Sequence, residues 1–166
     1  MTMIIEGEYL LPAERQEVWE ALTDPVVLQR CIPRCEAVDR LSETEFEGIV
    51  ALKLGPLTVR LRGVLTLSEL DPPRSYRMVA KARGGLAGFA EGSSHVRLEA
   101  AGEGTTRLIF EGGGALGGRL AYLAEGLVEG AARSVADRIF GDLRAYLQDN
   151  RAREADEKDR APNLGS

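Results

Sequence analysis

The stretch from Val18 to Glu36, V-W-E-A-L-T-D-P-V-V-L-Q-R-C-I-P-R-C-E, decides the fold. It reads as a short helix carrying Val18, Trp19 and Leu22, then a second short helix opened by Asp24-Pro25, then an exit at Pro33 with a cysteine on either side. Asp before Pro is a strong helix start, because the carboxylate accepts orphan backbone N–H bonds and Pro has no N–H to lose. The pair reads as a helix–helix corner that caps one end of a sheet.

Working outward, Met3 to Leu11 has strand character, with Ile5, Gly7 and Tyr9 on one face and Glu6 and Glu8 on the other. After the corner come six more strand-like segments: Ala37–Leu41, Glu45–Leu54, Leu57–Leu70, Ser75–Ala82, Phe89–Ala100 and Thr105–Gly112. In the clearest, Leu57, Val59, Leu61, Leu65 and Leu67 alternate with Thr58, Arg60, Arg62 and Thr66. Gly55-Pro56, Asp71-Pro72-Pro73, Gly84-Gly85 and Gly102-Glu103-Gly104 are turn material. Short connections imply an antiparallel meander, since parallel strands need long crossovers. From Gly117 to about Gln148 an apolar stripe follows a helical period through Leu120, Leu123, Leu127, Ala131, Val135, Ile139, Leu143 and Leu147. At 1.5 Å per residue that helix is roughly 45 Å long, enough to cross a small sheet. The expected fold is therefore α+β of helix-grip type. A curved seven-stranded antiparallel sheet wraps a long C-terminal helix, with two short helices after strand 1. The domain spans 1–150, and the mixed-charge tail 151–166 reads as disordered chain or a frayed helical extension.

The chain has 166 residues, 44% hydrophobic and 28% charged, as in one globular domain with a real core. A net charge of −5 argues against non-specific nucleic-acid binding. No apolar run nears the ~20 residues of a membrane span, and the N-terminus lacks signal-peptide features. Two cysteines make no disulfide framework, so a cytoplasmic setting is expected. No cofactor is expected.

Several motifs together resemble the CoxG family (the G-subunit of carbon monoxide dehydrogenase) of the Bet v 1/START-like (SRPBCC) superfamily. They are Val18-Trp19, Leu22, Asp24-Pro25, Leu28, Cys31-Ile32-Pro33 and Cys35-Glu36 in the corner, followed by Leu54-Gly55-Pro56 and Leu70-Asp71-Pro72-Pro73. The Gly88–Gly92 segment, Gly104-Thr105-Thr106 and Gly117-Gly118-Arg119-Leu120-Ala121 complete the set. The likeness runs from residue 3 to about 147, specific as a set and weak piece by piece. Where the family usually has Gly between Pro33 and Cys35, this chain has Arg34, and a non-glycine residue is penalised at positive φ. The resemblance implies assembly or membrane recruitment of molybdenum-containing carbon monoxide dehydrogenases, and carriage of a quinone-like lipid to them. Some members have an apolar C-terminal tail; here the tail is charged, so that mode of anchoring does not carry over.

Chemistry-bearing residues are few. His95 reads as a structural or surface residue, since one His and two Cys fall short of a zinc site. Cys31 and Cys35 read as small buried hydrophobes, with redox sensing as the alternative. Trp19 reads as a core anchor, with a lid over the cavity mouth as the alternative. Gly112-Gly113-Gly114 and Gly117-Gly118 lack a phosphate-loop context and read as a hinge before the long helix. Arg60, Arg62, Arg77, Lys81, Arg83, Arg97 and Arg107 would share the wet sheet face and read as solvated and balanced by Glu47, Glu69, Glu99 and Glu111, with docking of an acidic partner subunit or anionic lipid headgroups as the alternative.

The inner face carries the site. Leu54, Leu61, Leu65, Met78, Phe89 and Phe110 from the sheet, with Leu120, Leu123 and Leu127 from the helix, are expected to line an apolar cavity. Such a pocket suits a lipid, isoprenoid or quinone better than a polar substrate. The expected function is a non-enzymatic carrier and accessory protein for a molybdenum hydroxylase of the carbon monoxide dehydrogenase type. A START-like enzyme of cyclase or hydrolase type on a small apolar substrate is the alternative. Peripheral contact with the inner face of the membrane and a homodimer both stay open.

Overall fold

The computed structural model describes the backbone of residues 2–54, 56–123 and 128–160, and their side chains except at 2, 3, 52, 54, 123 and 128–132. In chain order the elements are β1 (Thr2–Leu11), α1 (Arg15–Leu22), α2 (Pro25–Cys31), β2 (Cys35–Arg40), β3 (Glu45–Leu54), β4 (Leu57–Asp71) and β5 (Ser75–Arg83). A 3-10 turn (Gly85–Ala87), β6 (Phe89–Ala100), β7 (Thr106–Gly117), α3 (Arg119–Leu123) and α4 (Val128–Arg160) follow. The strands form one antiparallel sheet in the order β1-β7-β6-β5-β4-β3-β2. This is the expected meander, with β1 returned beside the last strand.

The corner behaves as its residues dictate. Asp24 caps α2 by accepting the Val26 N–H at 2.9 Å, with Pro25 in the first turn. Glu14 does not cap α1 with its side chain; its carboxylate accepts the Gly104 N–H at 2.8 Å instead. The buried Thr106 hydroxyl donates to the Ala13 carbonyl at 2.7 Å, so the β6–β7 turn and the start of the corner are fastened twice. Trp19 is buried edge-on against Tyr76, with ring centroids 5.3 Å apart, as a core anchor.

Arg34 adopts φ 57°, so the corner keeps a left-handed turn without glycine. That conformation penalises an L-residue by roughly 1–2 kcal/mol, partly offset by the greater unfolded-state freedom of glycine. Arg34→Gly is therefore expected to stabilise the fold by about 0.5–1 kcal/mol. Thermal unfolding would show a rise of roughly 1–4 °C, and an unchanged or lower midpoint would contradict this account of the turn.

Two expectations change. The triglycine is no hinge: Gly112, Gly113 and Gly114 lie inside β7, paired with β1 on one side and β6 on the other. A side chain at Gly112 would run into the Ser93 carbonyl, so close strand approach explains the glycine. The turn falls later, at Gly118 with φ 67°. Of the two readings of the tail, residues 151–160 take the helical extension, as α4 runs on to Arg160. On α4, Val135 is 40% exposed and leaves the expected stripe, whereas Leu143 and Leu147 are buried. No helix among the described residues is long and apolar enough to cross a membrane.

Candidate functional site

Side chains along a strand alternate between faces, so the cross-strand register sorts the sheet into two surfaces. On the concave surface, one half carries large residues. Tyr9 lies opposite Leu108, Leu108 opposite Leu98, Tyr76 opposite Val96, Leu67 opposite Met78, and Phe46 opposite Leu65. With Leu143 and Leu147 of α4 and the buried face of α1 and α2, they form the main core. Polar ties hold α4 there: Arg144 donates to the Leu10 carbonyl at 2.9 Å, Asn150 to Glu17 at 2.9 Å, and Arg30 meets Asp149 at 3.3 Å.

Further along the same strands, on the same face, the residues become small. Gly48 lies opposite Gly63, and Gly63 opposite Ala82. Ala80 lies opposite Gly92, Gly92 opposite Gly114, and Ser94 opposite Gly112. All of these are only half-buried. A Cβ on Gly92 would meet, among the described residues, only the Gly113 carbonyl oxygen, at 3.4 Å. Glycine inside a strand packs nothing, so this half presents backbone and small side chains rather than large apolar ones.

Three rings mark the boundary between the halves. Tyr9 stacks on Phe140 at 4.4 Å, Phe110 on Phe140 at 5.3 Å, and Tyr9 lies 6.0 Å from Phe110. The Tyr9 hydroxyl donates to Asp137 at 2.6 Å. Burial, then the Asp137 carboxylate, push the Tyr9 hydroxyl up to about 12, so it stays a neutral donor in ordinary buffers. The hydroxyl of Ser94 is engaged too, donating to the Glu111 carbonyl at 3.3 Å. The floor thus offers apolar surface, an aromatic wall and one oriented polar pair. The carboxylate of that pair, Asp137, is engaged by the Tyr9 hydroxyl.

Tyr9 makes the fold alkali-sensitive. In the unfolded chain a tyrosine loses its proton near 10, so between the two values the unfolded state releases a proton that the folded state holds. Burial also raises Tyr76, and lifts the Cys31 thiol from 9.0 to about 11. Stability is complete below these unfolded-state values and falls as pH rises between about 9 and 12. Thermal unfolding across that window should show a declining midpoint, with a shallower slope for Tyr9→Phe; a flat profile would contradict it.

The expected site residues divide. Phe110 belongs to the main core, and Leu65 and Met78 pack against it. Leu61 and Leu120 are buried outside that cluster. Phe89 is a correction: it alternates with Ala90 and so takes the convex face, 41% exposed, its ring over Gly117. Leu127 and the side chains of Leu54 and Leu123 lie outside the described residues. The small residues were missed, although glycine and alanine at every second position of β5, β6 and β7 were the available signal.

On the convex face the seven cations Arg60 to Arg107 are all exposed. Arg60 pairs with Glu36 at 2.8 Å and Arg62 with Glu47 at 3.1 Å, which fits a balanced solvated surface. His95 is exposed there, opposite Glu111, and no group of three potential metal ligands occurs among the described residues. Cys31 is buried and both cysteines are free thiols. Burial raises both, Cys31 to about 11, so Cys31 is a thiol rather than the reactive thiolate.

A curved antiparallel sheet gripping a C-terminal helix, with two short helices after the first strand, is the architecture of Bet v 1-like proteins. Ara h 8.0201 shares it at TM-score 0.64 and 14% identity, over 90% of this chain and 99% of that one. Norcoclaurine synthase of Thalictrum flavum shares it at TM-score 0.59 and 13% identity, over 91% and 97%. A conserved protein from Geobacillus kaustophilus is similar at TM-score 0.81 and 20% identity, over 89% and 96%. The chain belongs to the CoxG family, the G-subunit of carbon monoxide dehydrogenase, whose sequence pattern matches residues 7–148. No curated protein matches it significantly.

Proposed function

We propose that this protein is a non-catalytic carrier of an apolar, lipid- or quinone-like ligand, acting as an accessory to a molybdenum-containing dehydrogenase. The observation that carries the reading is the small-residue half of the concave face, bounded by Tyr9, Phe110 and Phe140. Aliphatic and aromatic lining with one polar handle favours a ligand with a planar head and an isoprenoid or acyl tail. Membership of the CoxG family supports the accessory role. The test is mass spectrometry of the organic extract of purified protein. A carrier releases a quinone or lipid, or takes one up when offered; a protein that does neither is not a carrier.

One observation favours a second reading, an enzyme of START-like type. The Tyr9–Asp137 hydrogen bond joins a neutral donor to a carboxylate at the edge of the floor, and an enzyme shares the fold. Fold alone assigns no activity. Chemical change of the bound molecule, read in the same extracts, would favour the enzyme; recovery unchanged favours the carrier.

A further inference from the structure

Hydrogen bonds have a direction, and on the concave floor the donors are taken. Strands β3 to β7 are each paired on both sides, so the backbone N–H groups beneath the small residues go to neighbouring strands. The side-chain donors are taken as well. The Tyr9 hydroxyl gives its proton to Asp137 Oδ1 at 2.6 Å, and the Ser94 hydroxyl gives its proton to the Glu111 carbonyl at 3.3 Å. What stays open is acceptors: both hydroxyl oxygens keep lone pairs, and Asp137 Oδ2 has no partner among the described residues.

The Tyr9–Asp137 pair stands on the small-residue side of the aromatic wall. On β1, Gly7 is the next inward position from Tyr9 toward the small residues. A Cβ there would meet Phe110 Cε1 at 2.9 Å and Tyr9 Cε2 at 3.6 Å, so both rings lie over Gly7. The Tyr9 hydroxyl then reaches α4 at Asp137, three residues before Phe140. Burial and the carboxylate keep that hydroxyl protonated in ordinary buffers, which fixes the direction of the bond. Arg133, one turn earlier on α4, also acts on Tyr9 through its charge. It is exposed and makes no hydrogen bond to either residue among the described residues.

A quinone and its quinol differ in this respect. The oxidised ring carries two carbonyls, which only accept; two electrons and two protons turn both into hydroxyls, which donate. A carbonyl over this floor would lose water and gain no donor, whereas a hydroxyl meets a carboxylate oxygen, and hydrogen bonds to charged groups are the strong ones. We propose that the Tyr9–Asp137 pair makes the site selective for a head that donates, so that the protein holds a quinol in preference to the matching quinone. Asp137 meets the head, and Tyr9 positions Asp137. Ring stacking and tail burial are shared by both forms, so the quinone still binds, more weakly. The inference rests on the carrier reading and adds the redox state to it. Such a carrier takes up the product of a quinone-reducing reaction.

Anaerobic calorimetric titration of the full chain with decylubiquinol and with decylubiquinone reads the preference. The quinol is expected to bind at least about tenfold tighter, which raises the midpoint potential of the bound two-electron couple by about 30 mV. Asp137→Ala leaves the Tyr9 hydroxyl free to donate, so the preference should swing to the quinone. Asp137→Asn still accepts from Tyr9 and offers the head an amide N–H, and should swing the same way. Tyr9→Phe combined with Asp137→Ala removes donor and acceptor together, and the two forms should then bind alike. Arg133→Gln should keep the quinol preference. Asp137 and Arg133 are exposed, and thermal unfolding checks that each variant folds. A merely structural Tyr9–Asp137 bond would not make the preference swing. Equal binding of the two forms, a tighter quinone, or a quinol preference that survives both Asp137 variants would overturn the inference and leave the carrier standing. Loss of the preference in Arg133→Gln would give the selection to the guanidinium and overturn it too. Binding of neither form overturns the carrier reading, and this inference with it.

Discussion

Gly92→Leu is expected to weaken decylubiquinone binding by at least about tenfold, equivalent to about 1.4 kcal/mol, while the protein stays folded. Gly92 lies between Ala80 and Gly114 at the middle of the small-residue half. Its backbone is not in the left-handed region, and a Cβ there makes ordinary contact with one carbonyl oxygen among the described residues. Leucine is a better strand residue than glycine, which is entropically unfavourable in a sheet by roughly 0.5–1 kcal/mol. The added isobutyl group would fill space assigned to the ligand. Calorimetric titration reads affinity and thermal unfolding reads the fold. Unchanged affinity in a folded variant would remove the small-residue half as the binding site.

The second large effect is on stability. Leu147→Ala should destabilise the protein by about 2–5 kcal/mol, because the side chain is fully buried against the core and its removal leaves a cavity. That is a large share of the ~5–15 kcal/mol that holds a typical domain together, and it should lower the unfolding midpoint by roughly 4–20 °C. Val135→Ala on the same helix should change stability by no more than about 0.5 kcal/mol, because Val135 is 40% exposed. Equal losses at both positions would mean that α4 is not seated as described.

Much of the architecture was legible because its signals are local. Alternation in β4, the Asp24-Pro25 start of α2 and the short turns each follow from nearby residues. What failed depended on distant partners. The triglycine looks like a hinge in isolation, but pairing on both edges of β7 holds it as strand. Residues 151–160 left two readings open, and the helical one has a local basis: Glu154 precedes Lys158 and Asp156 precedes Arg160 by four positions, the spacing that supports a helix.

The site was half legible for a similar reason. Periodicity says which residues point inward, and it placed Leu61, Leu65, Met78 and Phe110 on the concave face. It does not say how far the covering helix stands from them. Large inward residues pack into the core, so the proposed ligand lies over the small ones, and a list of apolar residues overlooks them. Phe89 takes the convex face because alternate positions down from Leu98 and Val96 reach Ala90.

The central claim is an apolar ligand lying over Ala80, Ala82 and Gly92. Methyl NMR of the full chain labelled at alanine, titrated with decylubiquinone, tests it most directly. The Ala80, Ala82 and Ala90 methyls should shift and show contacts to the ligand, while Ala13 and Ala21, buried at the far corner, should not move. Binding that shifts only the corner, or that leaves the floor methyls unmoved, would contradict the claim.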